Sequence, residues 1–253
     1  MLRAITKSGN AFDRRGFRLR GLEMTRLETF VDAAFAFAVT MLALSADRVP
    51  TSFDQMYDLL RGIPAFLLSL ALLLLFWNGH VNFSRRYGFD DRTTTLLSGV
   101  FIAVMLVYVY PLKFMATAFF SYYVPPLRTG DYLRGGTTSD LSAMFLVMSC
   151  GYVLLECVFV GLESHAKRNA DELALTAHER RLVSCERTAH GIYAAVGVVS
   201  IILAIVLRNS IAVVTAGFVY AGLTVLIPLY WARCGPRPQA CRDAVNAPEG
   251  GAG

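Results

Sequence analysis

Long apolar runs alternate with short charged ones along this chain, and the spacing predicts six membrane-crossing helices. They fall at about 28–46, 63–83, 96–120, 141–161, 191–207 and 211–231, each near the ~20 residues needed to span a bilayer. The first run, from Arg26, reads RLETFVDAAFAFAVTMLALSA. At roughly 100° per residue, Arg26, Phe30, Ala33, Phe37, Thr40, Met41 and Leu44 share one narrow stripe. Asp32, Phe35, Val39 and Leu42 fall on the opposite side, so this helix presents a carboxylate one way and an apolar stripe the other. Arg208 and Asn209 make a tight turn between the fifth and sixth spans, which form an antiparallel hairpin.

Residues 1–25 are basic and polar without apolar periodicity, and read as a mobile cytoplasmic tail. Their length argues against a cleaved signal peptide, as does Asp32 inside the first apolar run. Mixed charges at helical spacing from Glu163 to Ala189 extend the fourth and fifth spans as helix, with the alternating signs on a solvated face. Residues 233–253, rich in Pro, Gly and Ala, read as a disordered tail. No 20–50-residue repeat is visible, and Gly135-Gly136 is a plain turn.

Composition fits an all-α integral membrane protein: of 253 residues, 55% are hydrophobic and 17% charged, with mean hydropathy +0.48. Soluble domains carry about 25% charged residues. The net charge of +5 is explained by topology and not by a nucleic-acid surface: eighteen Lys and Arg lie on one side of the six spans and five on the other, with Lys113 inside a span. Positive loops stay in the cytoplasm, so both termini are placed there, and no nucleic-acid partner is implied. Cys150, Cys157, Cys185, Cys234 and Cys241 show no CxxC spacing, which reads as reduced thiols without a disulfide framework or zinc site.

Polar groups inside apolar runs are the informative exceptions, because unpaired charge is expensive in hydrocarbon. Asp32, Trp77, Asn78, His80, Ser98 and Glu156 all fall in the cytoplasmic third of their spans, close enough for a shared hydrogen-bonded cluster, with Arg26 or Arg85 available to neutralise Glu156. Such a cluster reads either as a gating or proton-sensitive latch on Asp32 and His80, or as a polar clamp that fixes helix packing. Enzyme signatures are missing: His178-Glu179 lacks the second His of a zinc protease motif, and there is no GxSxG or phosphate-cradling glycine loop.

Arg26 followed by Phe30-Val31-Asp32 resembles the RxxxFSD signature that opens the first helix of transmembrane protein 175 potassium channels. The run from Ala36 to Leu44 resembles that family's AIAxTLLxL, Trp77-x-x-His80 its WxxH, and Pro111 fits late in the third span. The likeness covers the first three spans; the last three agree in number and little else. Val31 replaces the signature Ser, Ser98 stands where Asn is common, and Phe37 and Met41 occupy positions usually held by Ile or Leu.

The resemblance implies a potassium-permeable homotetramer of six-helix subunits, with K+ as permeant ion and no cofactor. Four copies of the first helix would line the axis. This chain has no TVGYG carbonyl filter, and the constriction implied is apolar: Phe37, Met41 and Leu44, with the hydroxyl of Thr40 nearby. Other readings of the same residues remain. Phe and Met at helical spacing can simply pack helices, and Thr40 can bond back to its own backbone. Asp32, His80 and Glu156 could form the proton relay of a secondary transporter, or the chain could be a non-conducting membrane scaffold.

Overall fold

A computed structural model describes residues 11–44, 49–127, 136–208 and 211–235. Ser45, Ala46, Gly135, Asn209, residues 1–10 and the tail from 236 lie outside them, so the expectations placed there stay open. Among the described residues the chain is helical: α1 (Arg26–Leu44), α2 (Phe53–Arg61), α3 (Ile63–Tyr87), α4 (Arg92–Tyr123), α5 (Thr138–Arg168), α6 (Ala177–Val206), α7 (Thr215–Phe218) and α8 (Leu223–Cys234). Six helical segments are long and apolar enough to cross a membrane, as the sequence predicts.

Local chemistry sets most helix starts. Thr25 accepts from the Glu28 backbone N–H while Glu28 accepts from Thr25, a reciprocal cap at the head of α1. Asp91 caps α4 through Thr94, and Thr137 with Asp140, and Thr176 with Glu179, form capping boxes on α5 and α6. The larger apolar cluster lies between α1, α3, α4, α5 and α6 and includes Leu42, Leu73, Phe101, Leu155 and Leu162, and a smaller one joins Phe145, Ala204, Val213 and Ala216. Lys113 reaches back from α4 to donate to the Leu42 carbonyl at 3.2 Å, a cation at the C-terminal end of α1 where the helix dipole favours it.

The sixth span departs from the single continuous helix expected. It alternates 3-10 turns at 211–214 and 219–222 with α7 and α8, and Pro228 lies inside α8. Hydroxyls take up carbonyls along it: Thr215 donates to Ala212, Thr224 to Ala221, and Ser200 of α6 to Ala216. In hydrocarbon a broken helix persists where side chains satisfy the freed backbone groups. The short helix α2 was not expected from the run spacing; it is capped by Ser52 and carries exposed Phe53, Met56 and Tyr57.

The described part of the N-terminal segment is folded, not a loose tail. Residues 11–19 make a small antiparallel turn, with Leu19 N–H donating to the Ala11 carbonyl and Asp13 accepting from the backbone of Arg15 and Phe17. Phe17 is fully buried, edge-on to Tyr87 at 5.3 Å and flanked by the guanidinium groups of Arg20 and Arg86. The segment then crosses the end of α3 in close contact: Arg20 and Gly21 N–H both donate to the Arg85 carbonyl, and a Cβ on Gly21 would sit 2.2 Å from the Ser84 oxygen. Gly88, which ends α3 at φ +61°, faces it across the same crossing.

Charges expected on a solvated face are what hold this turn. α5 and α6 do continue as helix past the apolar stretch, and Asp171, Glu172, Arg180 and Arg181 are exposed. Glu179, however, is buried and pairs with both terminal nitrogens of Arg20 at 2.9 Å while accepting from Arg18 and Thr176 backbone N–H groups. Burial alone would raise its carboxyl, but those hydrogen bonds and the Arg20 charge outweigh it and hold it below the ordinary carboxylate range. Arg86 bridges Asp13 at 2.7 Å and Glu186, and Arg15 meets Glu186 at 2.8 Å.

The cysteine reading also changes. Cys185, near the head of α6, and Cys234, at the end of α8, are joined by a disulfide with their Cα atoms 6.1 Å apart. Forty-nine residues separate them in sequence; packing of the last hairpin, not motif spacing, brings them together. Cys150 and Cys157 are free.

Candidate functional site

Helix α1 has one face in the core and one in the open. Val31, Phe35, Ala38 and Leu42 are buried against α3 and α4, whereas Phe30, Phe37 and Leu44 are 62, 56 and 73% exposed. Arg26 and Thr40 are exposed and Met41 is half-buried. The stripe read from periodicity is therefore an uncovered surface of this single chain. Thr40 donates to the Ala36 carbonyl at 2.9 Å, one turn back on its own helix.

The rotation of α1 is set by its other side. Asp32 Oδ1 accepts from the Trp77 indole N–H at 2.8 Å, tying α1 to α3. One turn further along α3, His80 Nε2 and Ser98 Oγ lie 2.9 Å apart with both side chains buried, tying α3 to α4. The His80 ring stacks on Phe101 at 5.3 Å, and Phe101 stacks on Phe35 of α1 at 6.0 Å. Two hydrogen bonds and a ring sandwich thus lock the first three spans in register.

Glu156 does not join them. Its Oε2 meets His190 Nδ1 of α6 at 2.7 Å, and the Phe101 and Phe159 rings lie between that pair and His80. The partner is not Arg26 or Arg85. Asn78 is exposed and outside the pairs. Sequence reasoning passed over His190 because it sits just before the expected start of the fifth span; on a helical register its ring falls level with Glu156 of the antiparallel neighbour, a signal that only pairing of α5 with α6 makes readable. Among the described residues no cluster of metal-binding side chains occurs.

Residues 26–111, which include the α1 stripe and both polar pairs, match the family described as endosomal/lysosomal potassium channel TMEM175. A protein of Marivirga tractuosa named "Potassium channel" is 43% identical over 100 residues, which are 40% of each chain. The chain therefore aligns with well under half the length of that curated relative. The solved structure of a variant of the potassium channel MtTMEM175, in complex with a nanobody–MBP fusion protein, superposes with a TM-score of 0.78 at 29% identity, covering 88% of this chain and 98% of that one. The sequence of residues 26–111 is thus similar to the TMEM175 family, and the fold is similar to a solved TMEM175 potassium channel over 88% of the chain.

Proposed function

We propose that this chain is the subunit of a potassium-permeable channel in which copies of α1, four in the tetramer the sequence favours, meet around a common axis. The observation that carries this reading is the uncovered α1 stripe: three large apolar side chains on one helix face stand free while the opposite face is packed and pinned. Phe37, Met41 and Leu44 would form stacked apolar rings that exclude water when narrow and pass a cation when dilated. The Asp32–Trp77 and His80–Ser98 pairs are positioned to keep that stripe turned to the axis, since rotation of α1 would strand a carboxylate in hydrocarbon. The names of the two relatives support potassium as the permeant ion.

The charge asymmetry supports a cytoplasmic location for both termini and for the charged end of the bundle. That orientation puts Cys185 and Cys234 where thiols are kept reduced, so their disulfide would form on isolation in air. The proton-relay alternative would need its acids and His80 in one chain of contacts; the separation of Glu156 from Asp32 and His80 by aromatic rings favours the channel.

Flux of potassium from liposomes containing the purified protein tests the constriction. F37A and L44A are expected to raise the flux severalfold, with a reversal potential that follows the potassium gradient. Unchanged flux in both variants, or saturable proton-coupled uptake, would sink the proposal.

A further inference from the structure

Behind the first three spans, α3, α4, α5, α6 and the start of α8 enclose a cavity of about 530 Å³. That is in the range of small-molecule sites, roughly 300–1,000 Å³. One part is aliphatic, with Leu72, Leu75, Leu112, Met148 and Leu223, and it opens beside Leu75, which is exposed. The other part ends on the Glu156–His190 pair.

Aromatic rings line the space between. Phe76, Tyr108, Tyr152, Phe159, Tyr193 and Tyr220 contribute, with Tyr152 and Tyr220 perpendicular at 5.2 Å and Phe159 flat on His190 at 4.8 Å. Among the described residues no Arg or Lys lines the cavity. Its one basic side chain, His190, has its Nδ1 committed to Glu156.

These features discriminate among amphiphiles. An anionic headgroup would meet a carboxylate with no free cation to balance it. A zwitterionic lipid would bring its phosphate to the same place. A neutral alcohol could use the aliphatic walls but would gain nothing from the ring faces. A cation gains from both the carboxylate and the ring faces, whose quadrupoles attract positive charge most strongly when it is desolvated. A carboxylate has about four lone-pair sites, so the contacts with His190 and Tyr152 leave room for a further, positive partner.

We propose that this cavity binds a hydrophobic ammonium, its headgroup between the aromatic rings and Glu156 and its alkyl part along Leu72, Leu75 and Leu223. The site lies apart from the α1 stripe and does not depend on ion conduction.

The test uses the full chain in phosphatidylcholine nanodiscs and radiolabelled decyltrimethylammonium, with partition into empty nanodiscs subtracted. A saturable component of one probe per chain is expected. Decanol should compete at least tenfold more weakly than unlabelled probe, and decanoate should not compete. E156Q should weaken binding at least tenfold, and Y193A, at the half-buried rim, severalfold, both in protein that elutes as the parent does. The proposal is overturned if no saturable component is found, if decanol or decanoate competes as well as the ammonium, or if both variants bind like the parent.

Discussion

Inside the apolar part of the bundle Asp32 accepts one hydrogen bond from Trp77 and His80 shares one with Ser98. At the charged end Glu179 alone accepts four, from Arg18, Thr176 and both terminal nitrogens of Arg20. The difference reflects the surrounding medium. In hydrocarbon a single well-placed partner fixes a helix, and every added charge carries a large desolvation cost. Beside water, charges can gather into a network, and this one ties residues 13–20 to α3 and, across more than 150 positions of sequence, to α6. The membrane pairs align neighbours; the ionic network fastens the lead-in to α1 onto the far hairpin.

The largest effect is expected from cutting the network. E179A would leave Arg20 nearly buried without its partner, a loss of about 3–5 kcal/mol. It should show as a lowered midpoint of thermal unfolding and as faster tryptic cleavage at Arg18 and Arg20. If the network acts as a unit, R20A/E179A should cost less than the two single variants added together; simple additivity would mean that the contacts are independent. Opening the Cys185–Cys234 disulfide with a dithiol should cost about 2–4 kcal/mol by loop-closure entropy. The same midpoint should reveal it, and C185S should abolish the sensitivity to reductant.

A smaller change is expected within the membrane. D32A should cost about 1–3 kcal/mol, the penalty of leaving the part-buried Trp77 donor unpaired within the span, and D32N less, because an amide oxygen can still accept from Trp77. Fluorescence in a W231F background leaves Trp77 as the reporter: its emission should move in D32A and stay near the parent in D32N. Equal shifts in both would mean that the charge, not the hydrogen bond, holds α1. A D32N protein that assembles and conducts like the parent at every pH would leave no latch role for the carboxylate.

The gentlest probe is acid. Glu179 is held below its unfolded value, so its contribution is complete above about pH 4.3 and is lost as pH falls through the lower folded value. Arg15 lies over the Trp231 ring at 4.2 Å, so Trp231 emission in a W77F background reports whether the N-terminal turn is docked. It should change on acidification below pH 4.3, and E179Q should remove that acid limb. A Trp231 signal flat in the parent across this range would show that the turn stays docked without the Glu179 charge.

Much of the bundle was legible because helices in apolar surroundings are dictated locally. Backbone groups must bond within their own segment, so run length placed six spans, and 3.6-residue periodicity separated Phe37 and Leu44 from Phe35 and Leu42 before any contact was known. The Asp-x-x-Gly of Asp13 to Gly16, flanked by Phe12 and Phe17, was a turn signal, but the density of Arg around it masked the one aromatic residue that becomes buried. The breaks in the sixth span were hidden for a related reason: 3-10 and α turns share nearly the same side-chain pattern, and Ser200 lies on another helix.

Sequence by itself determined the six apolar segments that become spans and which face of α1 carries the acid, because run length and periodicity act along one segment at a time. Only the tertiary structure decided that Glu156 meets His190, that Cys185 meets Cys234, and that Arg20 is locked to Glu179. Those outcomes depend on which helix packs beside which, and in what axial register. A difference of one turn, about 5.4 Å, would separate each pair without altering any local rule.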